Sequence, residues 1–175
     1  SKFANSGIVV AIELEDLKDM GFTGLFAAID FQKSMEQTLF QHGDGSQKAP
    51  AQRLTDFLNN QPSKSLNPTS YIPGLYPAPM HELLPYFIVK RLQAGFKQFD
   101  RKMRGFITDK ANIVGVESRT SSPIRIPRDK VTRMHPQIKG LFPCGEGAGY
   151  AGGILSAAMD GQNVARSVSS WIGKE

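Results

Sequence analysis

Cysteine is almost absent from this sequence. Cys144 is the single one in 175 residues, which excludes an intrachain disulfide framework and any zinc site built on paired cysteines. Histidine is nearly as scarce. His42, His81 and His135 lie far apart along the chain and show no metal-ligand spacing. No apolar run approaches the roughly 18 residues of a membrane-spanning helix. The opening stretch SKFANSGIVV lacks a charged region followed by an apolar core and a small-residue cleavage site, so no secretory leader is expected and the expected location is cytoplasmic. Neither Ser6 nor Ser156 sits in a G-x-S-x-G setting, so neither reads as an activated nucleophile. There is no internal repeat.

What remains is a globular composition: 40% hydrophobic and 21% charged residues, enough for one ordinary core. The net charge of +5 is unevenly distributed. Residues 1–60 hold five Lys/Arg against eight Asp/Glu, whereas residues 61–175 hold sixteen against eight. Such asymmetry raises the question of a nucleic-acid surface. The densest basic group, Lys97 to Arg104, falls on one helical stretch and is accompanied by no RNP-like aromatic motif or zinc finger. A solvated helix face is the simpler reading, and an anionic cofactor or substrate uses the same charge equally well.

Along the chain, the β-branched run 7–14 (GIVVAIEL) predicts a buried strand, followed by an acidic, Gly-rich turn from Glu15 to Gly24. Helices are expected over 25–41, over 51–59 with Pro50 in the first turn, and over 85–103. The last of these repeats Ile88, Leu92, Phe96, Phe99 and Met103 on one face, opposite Lys90, Lys97, Arg101 and Lys102. Gly105 suits a left-handed cap after it. Residues 60–80 contain five prolines, and Tyr71, Ile72, Leu75 and Tyr76 favour a segment packed on the surface over a free linker. Short strands are expected at 113–118, 124–126 and 140–144. A final helix from Ile154 to Ile172 is expected to bury Ile154, Ala158, Val164, Val168 and Trp171. Cys144 beside Gly145 reads more simply as buried filler than as a redox thiol, His81 as a capping or surface residue, and His135 as a member of a polar loop.

The strongest chemical signal is GLFPCGEGAGYAGGILSAAMDG, residues 140–161. Gly147, Gly149 and Gly152 make a formal G-x-G-x-x-G match that opens a helix. The second strand and distal acidic residue of the dinucleotide fingerprint do not follow, so the match is not read as that fingerprint. Glycines at 145, 147, 149, 152 and 153 let backbone approach a ligand without Cβ obstruction, and the helix N-terminus offers free N–H groups to an anion or polar ring edge. Glu146 would repel phosphate but accept bonds from hydroxyls. Glycines serving only tight helix packing are the alternative.

These residues carry a resemblance. The 140–161 segment, together with NSGIVV (5–10), APAQRLTDFL (49–58), SYIPG (70–74), FDRKMRGF (99–106) and VESRTSSPIRIPRD (116–129), is similar to the C-terminal part of glutathione-reductase-like NAD(P)/FAD-dependent oxidoreductases, in particular the bacterial FAD-dependent dehydrogenases. The resemblance implies an α/β or α+β fold in which residues 1–130 form a substrate-side or insertion domain. Residues 131–175 would then be the terminal strand–turn–helix of a FAD-binding domain. It implies a FAD-dependent oxidoreductase that transfers hydride through flavin to or from an unidentified small-molecule substrate, with NAD(P)H as the accompanying nicotinamide candidate. It places Gly145, Glu146, Gly147, Gly152, Gly153 and Ile154 at the cofactor. Arg119, Thr120, Ser121 and Ser122 become candidates on the substrate or flavin side, although Arg119 reads equally as an ion-pair partner of Glu117, and the two serines as strand terminators. The βαβ unit that holds the FAD pyrophosphate would lie in a missing N-terminal half, so residues 1–175 alone are expected to be an inactive fragment that holds FAD weakly. A non-catalytic phosphate- or nucleotide-binding module is the rival from another class, and a nucleic-acid-binding domain a third.

Overall fold

The computed structural model describes residues 2–118 and 121–173. The chain divides into two compact units, one of residues 1–23 with 30–118 and one of residues 24–29 with 119–175. Helices and one small mixed sheet make the fold α+β.

The first unit is organised by α5 (Tyr86–Lys102) and β1 (Ala49–Arg53). Helix α5 forms because its apolar positions recur at helical spacing, so Val89, Leu92 and Phe96 are buried together. Arg101 and Lys102 lie in its last turn, where cations suit the negative end of the helix. Ile88 and Phe99 pack at the edge of the core. Met103 stays exposed, because the helix ends at Lys102. The Asp100 Oδ1 atom then accepts the N–H groups of Gly105 and Ile107, and Gly105 takes the expected left-handed turn with φ +89°.

Residues 51–53, expected to open a helix, belong instead to β1, and helix α3 covers only Leu54–Leu58. The strand is the middle one of three. It pairs in parallel with β2 (Leu75–Pro77) and antiparallel with β3 (Asn112–Val114). Pro50 gives the ladder no N–H, while its carbonyl accepts the Gly115 N–H at 3.2 Å. Tertiary pairing thus outweighs local propensity in APAQR, a stretch with no β-branched residue. Beneath the sheet, Leu39 of α2 (Ala27–Gln41), Leu54, Phe57, Met80 and Leu84 close the core with α5. Phe57 is wholly buried and meets Phe96 edge-on, with centroids 6.4 Å apart.

The fully buried Gln52 is satisfied on both sides of its amide. Its Nε2 donates to the Gln61 carbonyl and to His81 Nδ1, and its Oε1 accepts the His81 N–H. His81, in α4 (Met80–Leu83), is therefore a buried partner of the core rather than a surface residue. The proline-rich stretch 60–80 is packed as expected. Ser63 Oγ accepts the Arg53 N–H, Asn67 and Asn112 exchange amide–backbone bonds, and the Tyr71 hydroxyl donates to the Gln47 carbonyl.

Two strand expectations in this unit change. Residues 7–13 join no ladder, and α1 occupies Leu14–Asp19 in place of the acidic turn. Ile8 and Val10 still face the core while Val9 is exposed, so the alternation is real although no neighbouring strand completes it. Arg91 holds α1 to α5 through a bidentate pair with Asp16, which keeps that carboxyl below its ordinary value, and through a bond to the Ala11 carbonyl. The strand expected at 113–118 is limited to β3.

In the second unit α6 (Ile154–Ile172) is preceded by residues 121–153, which form no helix or strand. The expected strands 124–126 and 140–144 are not formed. Ile126 N–H donates to the Ala148 carbonyl and His135 N–H to the Leu141 carbonyl, isolated bonds that make no ladder. His135 Nδ1 accepts the N–H groups of Gln137 and Ile138, which fixes this loop. The stripe of α6 that packs is Ala157, Asp160, Val164, Val168 and Trp171, with Trp171 edge-on to Phe142. Ile154 and Ala158, expected inside, are exposed.

Candidate functional site

The glycine turn is built from two kinds of glycine. Gly145 and Gly149 have φ of +71° and +81°, a region glycine enters without steric cost. The Gly145 carbonyl accepts the Tyr150 N–H, and the Glu146 carbonyl accepts the Gly149 N–H, so residues 145–150 form a closed loop. Gly149 is held by packing. A Cβ there would lie 2.5 Å from the Ile124 carbonyl oxygen and 3.0 Å from Arg125 Cα. Backbone cannot swing aside as a side chain can, and Gly149→Ala is expected to destabilise this unit by about 2 kcal/mol. Urea unfolding followed by Trp171 fluorescence tests it; an unchanged midpoint would show that the loop relaxes freely.

Gly145 and Gly147 differ in this respect. A Cβ at either would meet nothing within 4 Å. At Gly147, whose φ is not positive, the fold itself therefore gives no reason for glycine.

The expected cofactor residues fall in two short stretches, one on this turn and one at the start of α6. Gly145 donates its N–H to Asp160 Oδ2 at 2.9 Å. Glu146 and Gly147 are exposed. Gly152 and Gly153 are exposed at the start of α6, where the Gly153 N–H donates to Ser156 Oγ and the Gly153 carbonyl accepts from the same hydroxyl. The N–H groups of Ile154 and Leu155 have no acceptor among the described residues, as expected for a first helical turn. Beside them stand exposed apolar side chains: Ile154 is 91% exposed, Leu155 79% and Met159 64%. Ser122 is half-buried, with its hydroxyl 3.4 Å from the Gly147 carbonyl, and Ser121 is exposed. Arg119 and Thr120 lie outside the described residues. Cys144, expected to be buried, is exposed.

One set of residues escaped the sequence reading. Arg128 forms a bidentate pair with Asp160 (2.6 and 3.0 Å), donates to the Pro143 carbonyl at 2.8 Å and lies 3.5 Å over the Tyr150 ring. Both partners are nearly buried, at 11% and 13% side-chain exposure. The Arg128 hydrogen bonds hold the Asp160 carboxyl below its ordinary value against the opposing effect of burial, and Asp160 in turn raises Arg128. Since Asp160 also takes the Gly145 N–H, this pair anchors the start of the turn to α6. The 32-residue separation of Arg128 from Asp160 left no local pattern to read.

Residues 1–120 match the family described as "FAD-dependent protein, C-terminal domain-like". The chain belongs to this family. A relative from Clostridium beijerinckii, described as an uncharacterized protein, is 38% identical over 167 residues, which is 94% of this chain and 31% of the relative. This FAD-dependent-protein domain thus spans about a third of the length of the curated relative it matches.

The turn fits a flavin on its own geometry. Open backbone at Gly147, free first-turn N–H groups and adjacent exposed apolar side chains suit a flat ring that is apolar on its face and polar at its edge. Among the described residues no helix is long and apolar enough to cross a membrane, and no group of three or more His, Cys, Asp or Glu could hold a metal.

Proposed function

We propose that this domain is the C-terminal part of a cytoplasmic, glutathione-reductase-like FAD-dependent oxidoreductase acting on a small molecule, with NAD(P)H as the nicotinamide partner. In this reading residues 1–130 line the substrate side and residues 131–175 complete the flavin site, with the remainder of the FAD-binding fold supplied by the rest of the full-length protein. The observation that carries it is the pairing of free amides with exposed apolar side chains at the start of α6, on a chain of the FAD-dependent family.

FAD, when bound, supplies two-electron acceptor and donor chemistry. The chain's own residues orient it. The backbone of Gly152, Gly153 and Ile154 would hold the polar edge of the ring, where the N-terminal end of α6 would favour negative charge. Ile154, Leu155 and Met159 would keep water from it. Glu146 would accept bonds from its hydroxyl groups. Ser121 and Ser122, with Arg119 and Thr120, are the candidates for the substrate or flavin side.

Gly147→Val in the full-length protein tests this. The expected result is a purified wild type with visible flavin absorbance, and a variant with an unchanged thermal midpoint in the flavin-free state but FAD affinity lowered at least about tenfold. A full-length wild type that neither retains nor takes up FAD would sink the reading.

A further inference from the structure

Beside the Arg128–Asp160 pair opens a cleft of about 460 Å³, lined by Arg125, Arg128, Lys130, Arg133, Tyr150 and Asp160. Four cations face one carboxylate, leaving three positive charges in excess. That carboxylate is already committed to Arg128 and the Gly145 N–H. The nearest acidic residue in sequence, Asp129, is committed as well, since its Oδ1 accepts from the Val131 and Thr132 N–H groups and from the Thr132 hydroxyl.

Two of the cations, Arg125 and Arg133, are held in place by partners that carry no charge. Arg125 is placed by stacking, its guanidinium carbon 4.5 Å from the centre of the Tyr150 ring. The ring is itself fixed by its hydroxyl's bond to the Ile126 carbonyl. Stacking uses the face of a guanidinium and leaves its in-plane N–H donors for a ligand. Arg133 adopts φ +59°, a conformation that costs a side-chain-bearing residue energy, and its guanidinium donates to neutral acceptors, Ser167 Oγ and the Val131 carbonyl. With Asp160 shared between Arg128 and Arg133, the cleft keeps an excess of positive charge, and its cations repel one another until an anion enters.

We propose that this cleft is a binding site for a small polyanion, a diphosphate or an equivalent phosphorylated group, held by Arg125, Lys130 and Arg133. It is separate in chemistry from the glycine turn, where the exposed Glu146 disfavours phosphate. The site does not depend on flavin binding. The same chemistry serves the diphosphate of a dinucleotide and the phosphate of a separate small substrate.

Titration of the flavin-free 175-residue chain with inorganic pyrophosphate at low salt, followed by calorimetry and amide NMR, tests the site. Saturable binding is expected, with shifts at residues 125–133 and Tyr150, and weakening by added salt. Arg125→Ala/Lys130→Ala removes two exposed side chains that carry no hydrogen bond among the described residues, so it should keep the thermal midpoint yet lose at least about tenfold in affinity, the scale of one charge-assisted hydrogen bond. Arg101→Ala/Lys102→Ala, on the solvated face of α5, should bind as the wild type does. Equal loss in both double variants, or no loss in the first, overturns the proposal. The two sources are then separated in full-length protein. Pyrophosphate excluded by FAD assigns the cleft to the cofactor's diphosphate, whereas binding alongside FAD assigns it to a separate ligand. These outcomes leave the flavin spectrum of the Gly147→Val experiment to be judged independently.

Discussion

Asp160→Ala should lower the stability of the 119–175 unit by about 3–5 kcal/mol, the cost of leaving one member of a nearly buried ion pair without its partner. Arg128 would keep the bond to the Pro143 carbonyl and the Tyr150 ring but lose both carboxylate oxygens. The Gly145 N–H would lose its acceptor at the same time, releasing the start of the glycine turn. Asp160→Asn keeps an acceptor for that N–H and should fall between wild type and alanine. Removing Arg128 as well should recover part of the loss, because no uncompensated charge then remains. The measurement is urea unfolding followed by Trp171 fluorescence, since Trp171 lies on the same helix and is the protein's single tryptophan. A loss below about 1 kcal/mol would mean the pair behaves as an exposed one.

The pair also sets an acid dependence. Folding lowers the Asp160 carboxyl from its ordinary value of 3.8, so the stability it contributes is complete above that value and disappears as pH falls through the lower folded value. Wild-type stability should therefore decline below about pH 4, and Asp160→Ala should show a shallower decline. Some slope persists in the variant because Asp129 is lowered too, by the backbone and hydroxyl bonds of Thr132 and Val131.

Phe57→Ala is the second large effect. Phe57 is fully buried between α3 and α5, and its removal leaves a cavity bounded by Phe96 and the other core side chains. The expected loss is about 3–5 kcal/mol. The Phe57 carbonyl would still accept Gln93 Nε2, so the backbone stays in place and the space cannot easily collapse. Amide hydrogen exchange of α5 and β1 measures the change, and protection factors close to wild type would show that the core repacks.

How much of this was readable in advance follows from the range of each interaction. Helices α2, α5 and α6 were legible because apolar residues three and four apart meet on one helix face whatever the rest of the chain does. The left-handed turn at Gly105 and the presence of a glycine turn before α6 were legible for a similar reason, since glycine alone enters those conformations freely. Strands depend on partners. GIVVAIEL has a strand's composition and forms no ladder, whereas APAQR has a poor one and becomes the middle strand, because Leu75–Pro77 and Asn112–Val114 reach it on both sides.

The sequence by itself determined that glycines cluster where backbone must turn tightly, that one amphipathic helix docks on a core, and that the basic charge lies after residue 60. Tertiary structure decided which glycines serve the fold and which leave open space, as Gly149 and Gly147 show. It decided that Ile154 faces outward, because Val164, Asp160 and Trp171 occupy the packed stripe of α6. It also decided where the charge converges. Arg125, Arg128, Lys130 and Arg133 lie within nine residues of one another, and the path of that loop beside Tyr150 and Asp160 turns them to one cleft. Periodicity is a local property and can be read from the chain; convergence is set by loop geometry, which no local pattern encodes.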